Sequence, residues 1–260
     1  MLNPMTTGFV QRLRDNDQGA WFELWETFGP VIRAQLTKWG KGRVGAETVR
    51  DLSQETLAAL SGSIERYDPS KGARFSTWLL AIARHVLGDE IDRRSALKRG
   101  GGRRAGEFDE RWMSGEALPT PDQAYETAVF HAKVEAAIRM VERETEFLDF
   151  SIFRMRILDG MSGKAVAESL GTSEPTVSRK LAKVRSNLRE KLREVISTYS
   201  FTPEELAEPE RNGLVLAPNG SGGDGARAPA TDDALFDEAV CEIYHRQAAL
   251  RREDQAAADA

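Results

Sequence analysis

The amino-acid sequence predicts an all-α protein with two small helical domains, a flexible linker between them and a helical C-terminal extension. Apolar residues recur at spacings of three and four along most of the chain, as they do on the buried face of an amphipathic helix. Glycine and proline gather in a few stretches that separate these periodic segments. A composition of 40% hydrophobic and 30% charged residues also fits a soluble, helix-rich chain.

The N-terminal segment is predicted to form a packed helical core. Residues 1–8 are expected to fray, and residues 15–17 form a turn between a short first helix and a longer second one. The aromatic side chains of this segment favour core packing over a base-stacking platform. The residues assigned to the core are Phe9, Val10, Leu13, Trp21, Phe22, Leu24, Trp25, Phe28, Val31, Ile32 and Leu36.

A third helix is expected at residues 46–61, after a glycine-rich turn. Its buried side is predicted to hold Leu52, Leu57 and Leu60. Asp51, Gln54 and Glu55 lie three and four residues apart and therefore share an outer face. Taken alone, that acidic face is an ordinary solvated surface.

A fourth helix is predicted to begin near Ser76, which has the chemistry of an N-cap, after a turn at residues 68–72. The helix continues to Arg94 and carries Gly88 in its middle, at a cost of about 1 kcal/mol relative to alanine. Its predicted apolar face consists of Leu79, Ile82, Ala83 and Val86.

Residues 162–192 predict a helix-turn-helix. Val166 and Leu170 lie on one face of its first helix, and Gly171 follows where a left-handed backbone suits glycine. Ser173 then provides a cap for a second helix that begins at Glu174.

The second helix of this pair is predicted to bury an apolar stripe and to expose a basic face. The stripe consists of Val177, Leu181, Val184, Leu188 and Leu192. Residues 174–193 hold seven basic and two acidic side chains. A solvated surface helix would explain the charges alone, but the glycine turn, the cap and the preceding helix favour DNA binding. Thr176, Arg179, Lys180 and Lys183 are assigned to the groove-facing side, Ser178 flanks them, and Arg185 and Arg189 are assigned to phosphates.

Two supporting helices are expected at residues 123–141 and 146–158, and one more at residues 232–250. The segment after residue 197 is rich in acid, proline and glycine, which predicts a mobile connector before that last helix. We expect the last helix to pack against another part of the chain or against another protein. The apolar positions assigned to these three helices are Val129, Val134, Ile138, Val141, Phe147, Phe150, Phe153, Ile157, Leu235, Phe236, Ala239, Val240, Ile243 and Tyr244.

The net charge of −5 is unevenly distributed along the chain. Residues 195–260 hold 13 acidic and 5 basic residues, which leaves 28 acidic and 31 basic residues, a net of +3, in residues 1–194. With a net charge of only +3, residues 1–194 neutralise few phosphates and bind free DNA weakly, because affinity depends on the number of phosphates neutralised. DNA binding is therefore expected to need a partner.

Several function classes lack their usual signatures. One cysteine rules out an internal disulfide framework, and three scattered histidines give no metal-ligand spacing. No P-loop, dinucleotide-binding loop or nucleophile triad is present, so no enzyme activity and no cofactor is expected. The sequence shows no signal peptide and no apolar run long enough to span a membrane, so a cytoplasmic protein is expected.

Four motifs, in order, resemble region 2 of bacterial sigma-70 family sigma factors, and the helix-turn-helix resembles region 4 of the same family. The arrangement is most similar to the extracytoplasmic-function (ECF) type, which has regions 2 and 4 alone. Gly88 and His85 depart from the family pattern, in which a larger residue and asparagine are common, and this bears on minus-ten preference. The four motifs occupy residues 51–56, 66–69, 75–79 and 82–94.

The resemblance implies four parts: region 2 at residues 9–96, a linker at 97–122, region 4 at 123–197, and an acidic connector with a C-terminal helix at 198–260. It implies that the partners are core RNA polymerase, through the β′ clamp helices and the β flap, and promoter DNA. An anti-sigma factor or other regulator is a further expected partner. The linker is equally compatible with two roles. One is a cationic segment that passes near the template or the nascent RNA, and the other is a plain solvated tether.

The resemblance also implies roles for individual residues. The polymerase-binding face is Asp51, Gln54 and Glu55. The minus-ten element is assigned to Lys71, Arg74, Ser76, Thr77, Arg84, His85, Asp89 and Arg93, with residues 70–77 as a loop that presents a base pocket. The minus-35 element is assigned to Thr176, Ser178, Arg179, Lys180, Lys183 and Arg185. Two alternatives stay open: a free-standing regulator that binds an operator as a dimer, and an accessory domain of a recombinase or transposase.

Overall fold

The computed structural model of the protein describes residues 4–68, 74–98, 121–216 and 230–258. All regular secondary structure in these ranges is helical, which confirms the all-α prediction. The described residues form two compact units. Unit 1 draws on residues 1–129, 198–202 and 251–260, and unit 2 draws on residues 130–197 and 203–250. Most of the predicted linker, residues 99–120, lies outside the described ranges.

Unit 1 is built from four helices and the start of a fifth. They are α1 (Pro4–Arg14), α2 (Gln18–Gly40), α3 (Ala46–Ser63), α4 (Phe75–Lys98) and α5 (Gln123–Glu144), with a 3-10 turn at Ile64–Arg66 after α3. The α1–α2 turn forms as predicted, because Asn16 adopts a φ of 59° and the Asp17 carboxylate accepts hydrogen bonds from the backbone N–H groups of Gly19 and Ala20. The first helix begins at Pro4, so the prediction that residues 4–8 fray is wrong.

The core of unit 1 is largely the predicted one. Leu24, Phe28, Leu36 and Leu60 are at most 2% exposed. Phe22, which we assigned to this core, is 55% exposed and therefore lies on the surface.

An aromatic cluster closes the core of unit 1 and includes rings from far along the chain. Tyr67 stacks on Trp78 at 4.6 Å between ring centroids, and Phe75 stacks on Phe201 at 5.5 Å. Tyr199 meets Phe28 edge-on at 5.2 Å. The segment 198–202 is therefore a component of the unit 1 core.

Unit 2 is built from α5, from residue 130 onward, and six further helices. They are α6 (Phe147–Phe153), α7 (Gly163–Ser169), α8 (Glu174–Tyr199), α9 (Pro203–Leu206), α10 (Glu208–Arg211) and α11 (Ala230–Ala258). The last two residues of α8 belong to unit 1, and α11 belongs to unit 2 up to residue 250. A π-helical turn at Arg154–Leu158 follows α6, in the segment predicted as one regular helix. Phe147, which we assigned to the support, is 89% exposed.

The prediction of a mobile connector after residue 197 is wrong for residues 198–216. In unit 2, Glu205 is 1% exposed and Leu214 is fully buried. Lys133 of α5, also buried, places its Nζ 3.2 Å from Glu208 Oε2 and 3.8 Å from Glu205 Oε1. The acidic side chains that indicated a solvated connector are thus held by a buried lysine. Residues 217–229, the rest of that predicted connector, lie outside the described ranges.

None of the helices in the described ranges is long and apolar enough to cross a membrane.

Candidate nucleic-acid interface

The predicted helix-turn-helix forms from α7, a four-residue turn and α8. The Ser162 hydroxyl accepts a hydrogen bond from the Ala165 backbone N–H at 3.1 Å and caps α7. Gly171 adopts the predicted left-handed backbone, with a φ of 61°. The Ser173 hydroxyl lies 2.9 Å from that of Thr176 in the first turn of α8. The local sequence therefore sets both the turn and the start of the second helix.

The buried stripe of α8 fixes which side of the helix faces outward. Its five predicted members, Val177, Leu181, Val184, Leu188 and Leu192, are each at most 5% exposed. Ile138 of α5 and Phe153 of α6 are also buried in unit 2. With this stripe buried, the polar positions of α8 are left on its outer side.

The first turns of α8 present three of the predicted groove-facing side chains. Ser178 and Arg179 are exposed, and Thr176 is half-buried. The Arg179 guanidinium lies 3.4 Å from the Pro175 carbonyl and 3.4 Å from the Thr176 hydroxyl. In the described parts of the chain, no carboxylate lies within ion-pair distance of Arg179. Its charge is therefore available for a partner outside the chain.

Two of the predicted DNA-facing lysines converge on a buried carboxylate. Asp149 of α6 is 1% exposed and accepts hydrogen bonds from Lys180 and Lys183, the latter at 3.2 Å. The hydrogen bond from Lys180 lowers the pKa of the Asp149 carboxyl. Burial raises the same pKa, but the net shift is downward. Nothing in the local sequence singled out Asp149, because its partners lie 31 and 34 residues further along the chain.

Three arginines, Arg185, Arg189 and Arg193, lie four residues apart along the later part of α8. We call them the arginine stripe. Arg185 binds Asp237 and Asp233. Arg189 binds Asp233 and the Val215 carbonyl. Arg193 binds the Leu216 carbonyl. The predicted phosphate contacts therefore already have partners within unit 2.

The acidic face predicted on α3 is present and open. Asp51, Gln54 and Glu55 are all exposed, whereas Leu52 and Leu60 on the opposite side are at most 2% exposed. Within the ranges that the structure describes, none of the three polar side chains takes part in an ion pair.

Four predicted minus-ten residues share the outer side of α4. His85 Nε2 lies 3.4 Å from the Asp89 carboxylate one turn later. The Arg84 guanidinium lies over the Trp39 ring, 5.9 Å from its centroid. Arg93 is 65% exposed and pairs with the buried carboxylate of Glu90. Burial raises the pKa of Glu90, but hydrogen bonds from Arg94 and Arg93 outweigh it, so the net shift is downward.

The remaining minus-ten residues are more enclosed than expected. Ser76 and Thr77 belong to α4, which begins at Phe75, so the prediction that they lie in a loop is wrong. Their exposed fractions are 7% and 9%, and the Ser76 carbonyl accepts a hydrogen bond from the Tyr125 hydroxyl at 2.7 Å. Arg74 pairs with Glu126 at 2.8 Å. Lys71 lies outside the described residues.

Comparison with known proteins adds evidence for unit 1. Residues 24–96 match the family model of sigma-70 region 2. Over 41 residues, 16% of this chain and 21% of each relative, the sequence is 54% identical to two mycobacterial proteins. They are a probable RNA polymerase sigma-C factor of Mycobacterium bovis and the ECF RNA polymerase sigma factor SigC of Mycobacterium tuberculosis.

The chain thus spans about a fifth of the length of these relatives, and the similarity lies in region 2. The matched helices are the ones that carry the acidic face of α3 and the polar side of α4. The four region 2 motifs of the sequence all fall within residues 24–96. Residues 24–96 therefore form a sigma-70 region 2, and within it the chain is similar to ECF sigma factors.

Proposed function

We propose that the chain is a promoter-specificity subunit that binds core RNA polymerase and directs transcription initiation. The observation that carries the proposal is a sigma-70 region 2 at residues 24–96, in one chain with a helix-turn-helix at α7 and α8. Region 2 supplies polymerase binding and minus-ten recognition. Unit 2 then acts as region 4 and reads the minus-35 element.

The polymerase contact is assigned to the acidic face of α3. Asp51, Gln54 and Glu55 are exposed on one side of a helix whose other side is buried. An unpaired acidic surface complements a basic partner, raises the association rate and disfavours wrong partners. In the proposal this face meets the β′ clamp helices, and unit 2 meets the β flap.

The minus-ten contact is assigned to the outer side of α4. Arg84, His85, Asp89 and Arg93 offer donors and acceptors to an unstacked base, while Arg74 and Lys71 serve phosphates. Extruding a base costs a few kcal/mol, which base contacts and a basic groove supply from binding energy. Because Ser76 and Thr77 are buried, we give them a supporting role at the start of the helix.

The minus-35 contact is assigned to the first turns of α8. Thr176, Ser178 and Arg179 occupy the position from which a recognition helix reaches base edges in the major groove. Lys180 and Lys183 flank them while bound to Asp149. Arg185 is assigned to a phosphate.

The proposal is tested by two variants with opposite defects. Glu55→Arg should weaken co-purification with core polymerase at least tenfold, because it reverses a charge on the contact face. Arg179→Ala should leave core binding intact and weaken promoter occupancy, by a factor that corresponds to about 1–3 kcal/mol for a base contact. Both effects are measured by pull-down with purified core enzyme and by run-off transcription from promoters mapped in the cell.

Matched controls are Glu65→Arg, another exposed acid of unit 1, and Arg154→Ala, another exposed cation of unit 2. Both controls should behave like the wild type. Tight operator binding by the protein alone, without any affinity for core enzyme, would instead identify a free-standing dimeric regulator.

A further inference from the structure

The contact between α11 and the arginine stripe is more ordered than a loose surface ion pair. Arg185 engages Asp237 through both Nε, at 2.8 Å, and Nη2, and its Nη1 lies 3.4 Å from Asp233. Arg189 Nη2 lies 2.8 Å from the other oxygen of Asp233. Two guanidinium groups and two carboxylates thus form one network, and two-point pairing of this kind fixes geometry as well as charge.

Apolar contacts hold these carboxylates in place. Phe236, between the two aspartates in sequence, and Val240 are fully buried, and Ile243 is 5% exposed. The Arg189 guanidinium lies over the Phe236 ring, 4.3 Å from its centroid. Further along α11, the His245 ring places Nε2 2.7 Å from the Leu158 carbonyl. Helix α11 is therefore anchored by its buried apolar side chains and by the contact between His245 and the Leu158 carbonyl.

The same contact removes two of the three arginines of the stripe from solvent, whereas Arg193 stays exposed. The Arg185 side chain is 16% exposed and that of Arg189 is 10% exposed. A phosphate cannot reach a guanidinium whose donors are covered by carboxylates. Carboxylate and phosphate present similar two-oxygen acceptors to arginine, so each can replace the other.

We propose that α11 is an internal competitor of DNA, in which Asp233 and Asp237 occupy the arginines that otherwise bind backbone phosphates. The inference rests on the proposed DNA-reading role of α8. The docked helix leaves the first turns of α8, with Ser178 and Arg179, exposed. It thereby lowers affinity for DNA of any sequence and leaves the residues assigned to base reading uncovered, until a partner or the promoter displaces it.

The test compares full-length wild type with the double variant Asp233→Asn, Asp237→Asn, which keeps side-chain shape and removes both charges. Binding to a labelled duplex of mixed sequence is followed by fluorescence anisotropy between about 50 and 200 mM salt. If the stripe is uncovered in a tenth of wild-type molecules, the variant binds about tenfold more tightly at the lower salt. The plot of log K against log salt steepens by up to about 2, since two more phosphates are neutralised at roughly 0.9 each.

The matched control is Glu238→Gln, Glu242→Gln, which removes two charges from exposed positions of the same helix. It should show the smaller effect of net charge alone. Urea unfolding of each protein shows whether it is folded, and Asp237→Asn alone, which keeps the Arg189–Asp233 pair, serves as a milder second variant.

The outcomes separate the two hypotheses. If the Asp233/Asp237 variant gains no more affinity or salt dependence than the control, α11 is a structural support and the competitor role is wrong, while DNA binding stands. If no protein binds duplex, with or without core polymerase, the proposed function itself fails and the competitor role fails with it.

Discussion

The acidic face of α3 in unit 1 and the basic face of α8 in unit 2 differ in whether their charges are free. On α3, Asp51 and Glu55 point into solvent without an ion-pair partner in the described ranges. On α8, Lys180 and Lys183 bind the buried Asp149. The arginine stripe binds Asp233, Asp237 and the carbonyls of Val215 and Leu216. Both faces follow the same helical spacing, yet on α8 most of the cations are already bound within unit 2, and Arg179 in the first turns is an exception.

This difference shows that a charged stripe in a sequence indicates which charged residues lie on a helix face. It does not indicate whether those charges are free to bind a partner. A surplus of five basic residues in residues 174–193 predicts an open cationic surface. In the folded chain most of that surplus is neutralised by acids from α6 and α11, 31 to 52 residues away in sequence. In the part of the chain that the structure describes, Asp51 and Glu55 on the face of α3 form no such ion pair.

The largest expected effect comes from undocking α11. Phe236→Ala removes a fully buried ring and should destabilise the docked state by about 3–5 kcal/mol. The arginine stripe would then become as open as the α3 face. Urea unfolding and limited proteolysis of the C-terminal segment measure the change.

The neighbouring Leu235→Ala is the control, because Leu235 is 55% exposed although the sequence pattern placed it on the apolar side. It should change stability by less than about 0.5 kcal/mol. Equal effects of the two substitutions would mean that α11 does not pack through Phe236.

The second effect concerns the two lysines. Asp149→Asn leaves Lys180 and Lys183 without their anionic partner and should cost about 1.5–3 kcal/mol, as for hydrogen bonds to charged groups. Because the pKa of Asp149 is lowered in the folded state, its stabilising contribution is present at neutral pH and is lost as pH falls through that lowered pKa. Urea titrations at pH 7 and in acid should therefore show a wild-type advantage that shrinks on acidification. A gap that stays constant with pH would contradict the ion pairing.

The third effect adds a pH response within unit 2. Burial lowers the pKa of His131 from 6.5 to about 4, so the folded protein binds fewer protons than the unfolded chain between these values. The contribution of His131 to the free energy of unfolding is therefore constant above about pH 6.5. It falls as pH drops toward 4, by about 1–2 kcal/mol at pH 5. His131→Gln should lose this part of the pH dependence when urea midpoints at pH 7 and pH 5 are compared. An unchanged slope would show that His131 is accessible to protons.

The smallest effect contrasts two glycines, one in each unit. Gly88→Ala in α4 should stabilise unit 1 by about 1 kcal/mol, because the added Cβ meets no atom within 4 Å and alanine favours helix. Gly171→Ala should destabilise unit 2 by about 1–2 kcal/mol, because a φ of 61° disfavours a side chain. Thermal unfolding of the two variants should therefore shift in opposite directions. A shift of the same sign in both would contradict these backbone assignments.

Local patterns predicted most of the fold and only part of the candidate interface. Spacing identified the helices, the stripe of α8 and the open face of α3, because each depends on residues within two turns of one another. It misplaced Phe147 and Phe22, since periodicity does not show whether a partner surface covers a given apolar face. It missed Asp149 and the buried Lys133 with its two glutamates, because those pairings join helices distant in sequence.

The placement of Tyr199 and Phe201 in the core of unit 1 has a consequence for synthesis. The pocket formed by Phe9, Phe28, Tyr67 and Phe75 stays incomplete until the chain has been made as far as residue 201. Contacts that close so long a loop form late, and the apolar surface awaiting them is exposed meanwhile. A nascent or truncated chain that ends after α4 therefore lacks the rings that cover its own core, and it should aggregate or engage chaperones where the full-length protein does not.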